Sequence, residues 1–186
     1  LETSNASGSE DSAIALDIDA GLTDSSETLT VTISGVPDGA TLSAGTDNGD
    51  GTWTLSSGDL EDLTITPADD FSGSFDLGVI AQSADGENVA NVSDTITVDV
   101  AGVADTPTLD VVDASGTEDS AISLDIDAGL TDSSETLTVT ISGVPDGATL
   151  SAGTDNGDGT WTLGSDDLEG LTITPADDFS GSFDLG

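Results

Sequence analysis

Thr28-Leu29-Thr30-Val31-Thr32-Ile33-Ser34 alternates strictly, with apolar residues at the odd positions and hydroxyl-bearing residues at the even ones. Strand side chains point to opposite faces with period two, so this heptapeptide predicts a half-buried β-strand. The same seven residues stand again at 136–142, an offset of 108. The identity reaches well beyond them. Between 10–78 and 118–186 only four positions differ: Ala15/Ser123, Ser56/Gly164, Gly58/Asp166 and Asp62/Gly170. Two copies of one module therefore flank the junction Val100–Glu118, VAGVADTPTLDVVDASGTE. The domains read as 1–105 for the first copy and 106–186 for the second. Near-identical tandem copies point to an array, and arrays usually serve as spacers or scaffolds.

The rest of the module has the same grammar. Leu1-Glu2-Thr3 predicts a first short strand, and Asn5 to Asp11 reads as loop from its Ser, Gly and Asn content. Ala13 to Asp19 alternates again, with Ile14, Leu16 and Ile18 on one face. Val36-Pro37-Asp38-Gly39 has turn chemistry. Thr41–Ser43 and Thr52–Leu55 are expected to form a hairpin across the Asn-Gly and Asp-Gly pairs of 46–51. Leu63–Thr66 is a further strand ended by Pro67. Phe75–Ser83 and Val89–Val100 form a long pair around the turn 84–88. Short strands with turns every 8 to 12 residues and no helical period predict an all-β fold. The class is tandem Greek-key β-sandwich modules of immunoglobulin-like or cadherin-like type. Trp53 and the phenylalanines belong to the core.

Composition sets the chemistry. There are 38 Asp and Glu, and no Lys, Arg, His or Cys. No side chain can neutralise another, so every carboxylate must face water or a dissolved cation. The net charge of −38 opposes compaction unless salt screens it or ions bind. Acidic, aromatic-poor chains are often disordered, but the alternating apolar runs argue for a folded core. Nucleic acid is excluded as a partner, because nothing here neutralises phosphate. No run of 18 apolar residues predicts a membrane span. Position 1 is Leu and no signal peptide opens the chain, so it reads as a fragment of something longer.

The second copy ends at Gly186, the counterpart of Gly78. It lacks partners for 79–108, and a sandwich without them leaves a core face and a sheet edge open. The expectation is that a longer chain, or another copy of this one, completes it.

With neither His nor Cys, the only metal donors are oxygens, which suit hard cations; Ca²⁺ takes six to eight of them. Counting strands up and down places Glu10 and Asp11 at the bottom of the module, and Asp24, Glu27 and Asp85 at the top. Asp69 and Asp70 join the bottom group, and the linker with Asp105 leaves from there. Copy two repeats the pattern with Glu118 and Asp119, and with Asp132 and Glu135. Acids from the bottom of one module and the top of the next thus meet at the junction, where bound Ca²⁺ would replace repulsion with a clamp.

This order of acids, the Asp85-Gly86 turn and the Asp105-Thr106-Pro107 linker resemble the calcium-binding layout of cadherin repeats. The phrases GTEDSAISLDI, VPDGATLS, DGTWTL and LTITPADDFSGSF are similar to the extender repeats of giant RTX-type bacterial surface adhesins. The resemblance covers the whole chain. It implies an extracellular stalk on a bacterial cell surface, stiffened by Ca²⁺ at module junctions, with neighbouring repeats as its partners. Two departures stand out: the linker carries a single acid where cadherins have several, and the glycine-rich calcium nonapeptides of RTX tails are missing from 1–186.

Rival readings follow from the same residues. Thr28, Thr30 and Thr32 form a ladder that could bind sugar or ice, though outward threonines are ordinary on exposed strands. A homophilic or carbohydrate-binding adhesion module is the alternative function. An enzyme is not expected: the usual bases and nucleophiles are missing, and paired carboxylates without a cleft do not make a glycosidase.

Overall fold

Alternation becomes sheet wherever two such runs can pair, and in the computed structural model, which describes all 186 residues, it does so throughout. Only two single 3₁₀ turns, Ser57–Asp59 and Ser165–Asp167, interrupt the strands. The chain divides into two units, Leu1–Val103 and Ala104–Gly186.

The first unit holds β1 (Glu2–Thr3), β2 (Ala6–Ser9), β3 (Ile14–Ala15), β4 (Ile18–Asp19), β5 (Thr28–Ser34), β6 (Thr41–Leu42), β7 (Thr46–Asp47), β8 (Thr52–Ser56), β9 (Thr64–Thr66), β10 (Gly73–Asp85) and β11 (Asn88–Ala101). One sheet has the order β2-β11-β10-β5-β8-β7; the opposing layer is made of the pair β1-β4 and the trio β3-β9-β6. Between the layers lies one core. Val31, Ile33, Leu55, Leu77, Val79, Ile96 and Val98 come from the first sheet, and Ile14, Leu16, Ile18, Leu42, Leu63 and Ile65 from the second. Each fully buried side chain of this kind contributes about 1.5–3 kcal/mol relative to exposure. This is an all-β sandwich.

Register explains the alternation. Val31 pairs with Leu55 and Ala81, and Ile33 with Trp53 and Val79, so odd positions of β5 turn inward. Even positions turn outward: Thr32 lies beside Thr54, and Thr54 beside Thr46, across three strands. On the same outer face, β10 and β11 place Gly78, Ile80, Gln82 and Ala84 opposite Thr95, Ser93, Asn91 and Val89. Acids return to that face only at Asp76 and Asp99, which pair with Thr97 and Ser74. The opposing layer differs: Glu2 is paired directly with Asp19.

Three expectations change. Asn5–Asp11 is not all loop: Ala6–Ser9 runs parallel to Val98–Ala101 as an edge strand. Small polar residues hid it, yet they are required, because a Cβ on Gly8 would lie 2.6 Å from Ile14 Cγ1. Ala13–Asp19 is two strands, since Ile14 pairs with Ile65 whereas Ile18 pairs with Thr3. Thr41–Leu42 does not pair with Thr52–Leu55; it joins β9 in the opposing layer, and the hairpin is β7–β8 alone.

The second unit holds β12 (Thr108–Val112), β13 (Ile122–Ser123), β14 (Asp125–Gly129), β15 (Thr138–Ile141), β16 (Thr149–Leu150), β17 (Thr154–Asp155), β18 (Trp161–Gly164) and β19 (Thr172–Thr174). Its core gathers Ile141, Val144, Leu150, Leu163, Leu171 and Ile173. Ile122, Leu124, Ile126 and Val139 are only half-buried, whereas their counterparts Ile14, Leu16, Ile18 and Val31 are buried. In the first unit β10 pairs with β5 along its length, but the equivalent pairing here stops at Ser142 with Gly186. One of the four sequence differences has a backbone cause. Asp62 and Gly170 both sit at positive φ, 55° and 68°, a region open to Gly and tolerated by Asp.

Candidate metal centre

The site begins with a buried charge. Glu10 follows β2 and is 4% exposed. Its N–H donates to Ala101 O at 3.0 Å, which extends the parallel pairing one residue past β2. Oε1 accepts the Val103 N–H, while buried Oε2 meets no hydrogen-bond donor. A carboxylate taken out of water without a partner costs several kcal/mol. No basic side chain in the sequence can supply that partner.

Asp11, the next residue, and Asp70 bring carboxylate oxygens within 4.8 Å of each other. Both hold left-handed backbone conformations, Asp11 at φ 56° and Asp70 at φ 57°. Such conformations in non-glycine residues cluster at functional sites. The Asp70 N–H donates to Asp11 Oδ1 at 3.1 Å, tying the loop after β9 to the loop after β2. Asp105 comes four residues after β11. Its N–H donates to Glu135 Oε1 at 2.8 Å, and its Oδ2 accepts from Thr131 Oγ1 at 3.0 Å. Like charges this close repel strongly in a partly desolvated setting. Asp11 and Asp70 offer only oxygen donors, as hard divalent cations require.

Of the other acids singled out from sequence, Asp69 is exposed next to Asp70. Asp24, Glu27 and Asp85 are at the opposite end of the first unit. Thr28, just after Glu27, pairs with Ala84, whereas Gly73 pairs with Val100 near the linker. Thirteen residues of β10 separate the ends by about 40 Å. Asp24 instead accepts the Ser26 N–H and Oγ–H, both at 2.9 Å. The backbone contact first, then the hydroxyl one, holds its carboxyl below the usual range.

In the second unit, Asp119 accepts the Asp178 N–H at 2.9 Å, repeating the Asp11–Asp70 contact, with φ 58° and 59°. Glu118 is exposed, unlike Glu10. Asp132 is only 5% exposed and is held by Ser134 through Oγ at 2.5 Å and N at 2.7 Å. These bonds, hydroxyl first, pull its carboxyl below the ordinary value. Sequence reading missed Thr131, Ser134 and the Val103 amide. The Asp-x-Ser spacing at 132–134 was a usable signal, since Asp side chains commonly bond the backbone two residues on. Nothing local marked the Val103 amide, whose partner is 93 residues away.

No family model matches the chain, and no curated protein matches it.

Proposed function

We propose that the chain is a piece of a structural extender from a large bacterial surface adhesin, its modules stiffened by Ca²⁺ where one runs into the next. On this reading it works outside the cell, and its task is mechanical: to hold a distal binding domain away from the surface. The observation that carries the reading is Glu10, a buried carboxylate with an unpartnered oxygen, directly before Asp11 of the Asp11–Asp70 pair, in a chain without a basic side chain. Glu10, Asp11 and Asp70 would supply oxygen ligands to the ion. When bound, Ca²⁺ supplies positive charge that would hold the loops after β2 and β9 together. Tandem near-identity supports a spacer over a dedicated ligand domain, which is usually present once.

Extracellular calcium modules bind with Kd on the order of 10⁻⁴ to 10⁻³ M. The test is thermal unfolding of the 186-residue chain in 10 mM CaCl₂ against chelator with NaCl at equal ionic strength. Calcium is expected to raise Tm, and the double variant Asp11→Asn/Asp70→Asn to lose most of the gain. Superimposable curves in the two media would overturn the reading.

A further inference from the structure

Two Asn-x-Ser triplets stand in the chain, Asn5-Ala6-Ser7 and Asn91-Val92-Ser93. Such a triplet is the acceptor pattern for N-linked sugar, which joins the asparagine amide. The fold treats the two differently. Ala6 is buried, and β2 pairs it with Val98. Asn5 Oδ1 accepts the Thr97 N–H at 3.1 Å, so this amide stands in for a strand partner of β11. Asn91 lies where β11 has a neighbour on one side only: β2 flanks Val98–Ala101, and 88–94 pair with β10 alone. Asn91, Val92 and Ser93 are all exposed. Period two puts Asn91 and Ser93 on one face, about 7 Å apart. Directly across from Asn91, Gln82 Nε2 donates to its Oδ1 at 3.0 Å, and Asn91 Nδ2 has no partner in the chain.

The same stretch is an unguarded edge. A free strand edge invites pairing with another strand, and proteins commonly block it with Lys, Pro or inward charge. This chain has no Lys, and 88–93 hold neither Pro nor acid. Val89 and Val92 are 61% and 50% exposed there.

We propose that Asn91 of the folded chain, and not Asn5, is an acceptor for N-linked sugar, which then shields this edge. The donor class is a hexose activated at C1 as a nucleoside diphosphate ester. Asn91 Nδ2 attacks C1 and the N–C1 bond forms. The bond from C1 to the diphosphate oxygen breaks, and its electron pair leaves with the nucleoside diphosphate. One Nδ2 proton passes to a base of the transferase; nothing is oxidised or reduced. A transferase can add its own strand to the free edge and read Asn-x-Ser there without opening the sheet. At Asn5 it must first break the bond to the Thr97 N–H and lift Ala6 out of the core. A bulky, hydrated group in the middle of 88–94 keeps a second strand away. The site is separate from the metal centre, since Asn91 lies about 30 Å along β11 from Val100.

The experiment incubates the 186-residue chain with UDP-glucose and a soluble transferase that recognises Asn-x-Ser/Thr, without added calcium. Mass spectrometry of the intact chain and its fragments should find one hexose per chain, on Asn91. Asn91→Gln and Ser93→Ala should each abolish it, and Asn5→Gln should leave it unchanged, with thermal unfolding to check that all three fold. Free peptides of residues 1–11 and 86–97 should both be modified, which assigns the silence of Asn5 to the fold. A folded chain left unmodified, a peptide 86–97 that accepts no hexose, or Asn5 modified as readily as Asn91 would each overturn the proposal. On heating in 1 M NaCl, where charge repulsion is screened, the modified chain should aggregate more slowly than the unmodified one. Equal rates would remove the shielding role.

Discussion

Replacing Glu10 with Gln separates a metal ligand from a simple cap. In the wild type, Oε1 accepts the Val103 N–H and buried Oε2 meets no donor. A buried charge stripped of its partner typically costs about 3–5 kcal/mol. Gln keeps the acceptor for Val103 and removes the charge, but leaves an amide N–H₂ unpaired at about 1–3 kcal/mol. In chelator Glu10→Gln should therefore be more stable than wild type, by about 1–3 kcal/mol. For a unit of this size 1 kcal/mol moves Tm by about 4–8 °C. Calcium narrows the gap. At a hundredfold excess over Kd, binding stabilises the wild type by about 2.7 kcal/mol. Losing one charged oxygen should weaken affinity roughly tenfold, which removes about 1.4 kcal/mol of that gain. The assay is a pair of calorimetric scans per protein, with chelator and with 10 mM CaCl₂. The stability advantage of Glu10→Gln should be smaller in calcium than in chelator by about 1.4 kcal/mol. If Glu10→Gln is less stable in chelator and gains as much from calcium as wild type, Glu10 only caps the Val103 amide and the reasoning fails.

Three further outcomes follow from the geometry. Gly8→Ala forces a methyl to within 2.6 Å of Ile14 Cγ1, and Gly116→Ala to within 2.5 Å of Ile122 Cγ1; each should cost about 1–3 kcal/mol in urea unfolding by overpacking. Ser134→Ala removes the main bond that lowers the Asp132 carboxyl. A lowered folded pKa stabilises at pH above the unfolded value, near 4, and that stability disappears as pH falls through the folded value. The stability gap between wild type and Ser134→Ala should thus be present at pH 7 and shrink steadily below pH 4. Glu2→Lys turns the Glu2–Asp19 pair from repulsive to attractive, and should raise stability by about 0.2–1 kcal/mol at low salt, less at 1 M NaCl, by urea midpoint.

Much of this molecule is legible without coordinates because the information is local. The repeat offset, the inward Leu29, Val31 and Ile33, and the long pair β10–β11 follow from side-chain period and turn residues, which act over a few positions. The lack of any basic residue is equally plain, and it shows that carboxylates must look outside the chain for charge. What the sequence could not decide is which runs pair with which. Ala6–Ser9 has too little strand propensity to be seen, and becomes a strand only because β11 lies alongside it. Thr41–Leu42 has the right pattern for either layer, and β9 wins it. The same limit applies to the acids. Asp24, Glu27 and Asp85 look as suitable as Asp11 and Asp70 in one dimension, since ligand type carries no address. Only the folding of β10 to its full length separates the two groups, and only the left-handed turns at Asp11 and Asp70 bring those two residues together. Charge is a property of residues, whereas a site is a property of distances, and distances across a sandwich are fixed by long-range pairing.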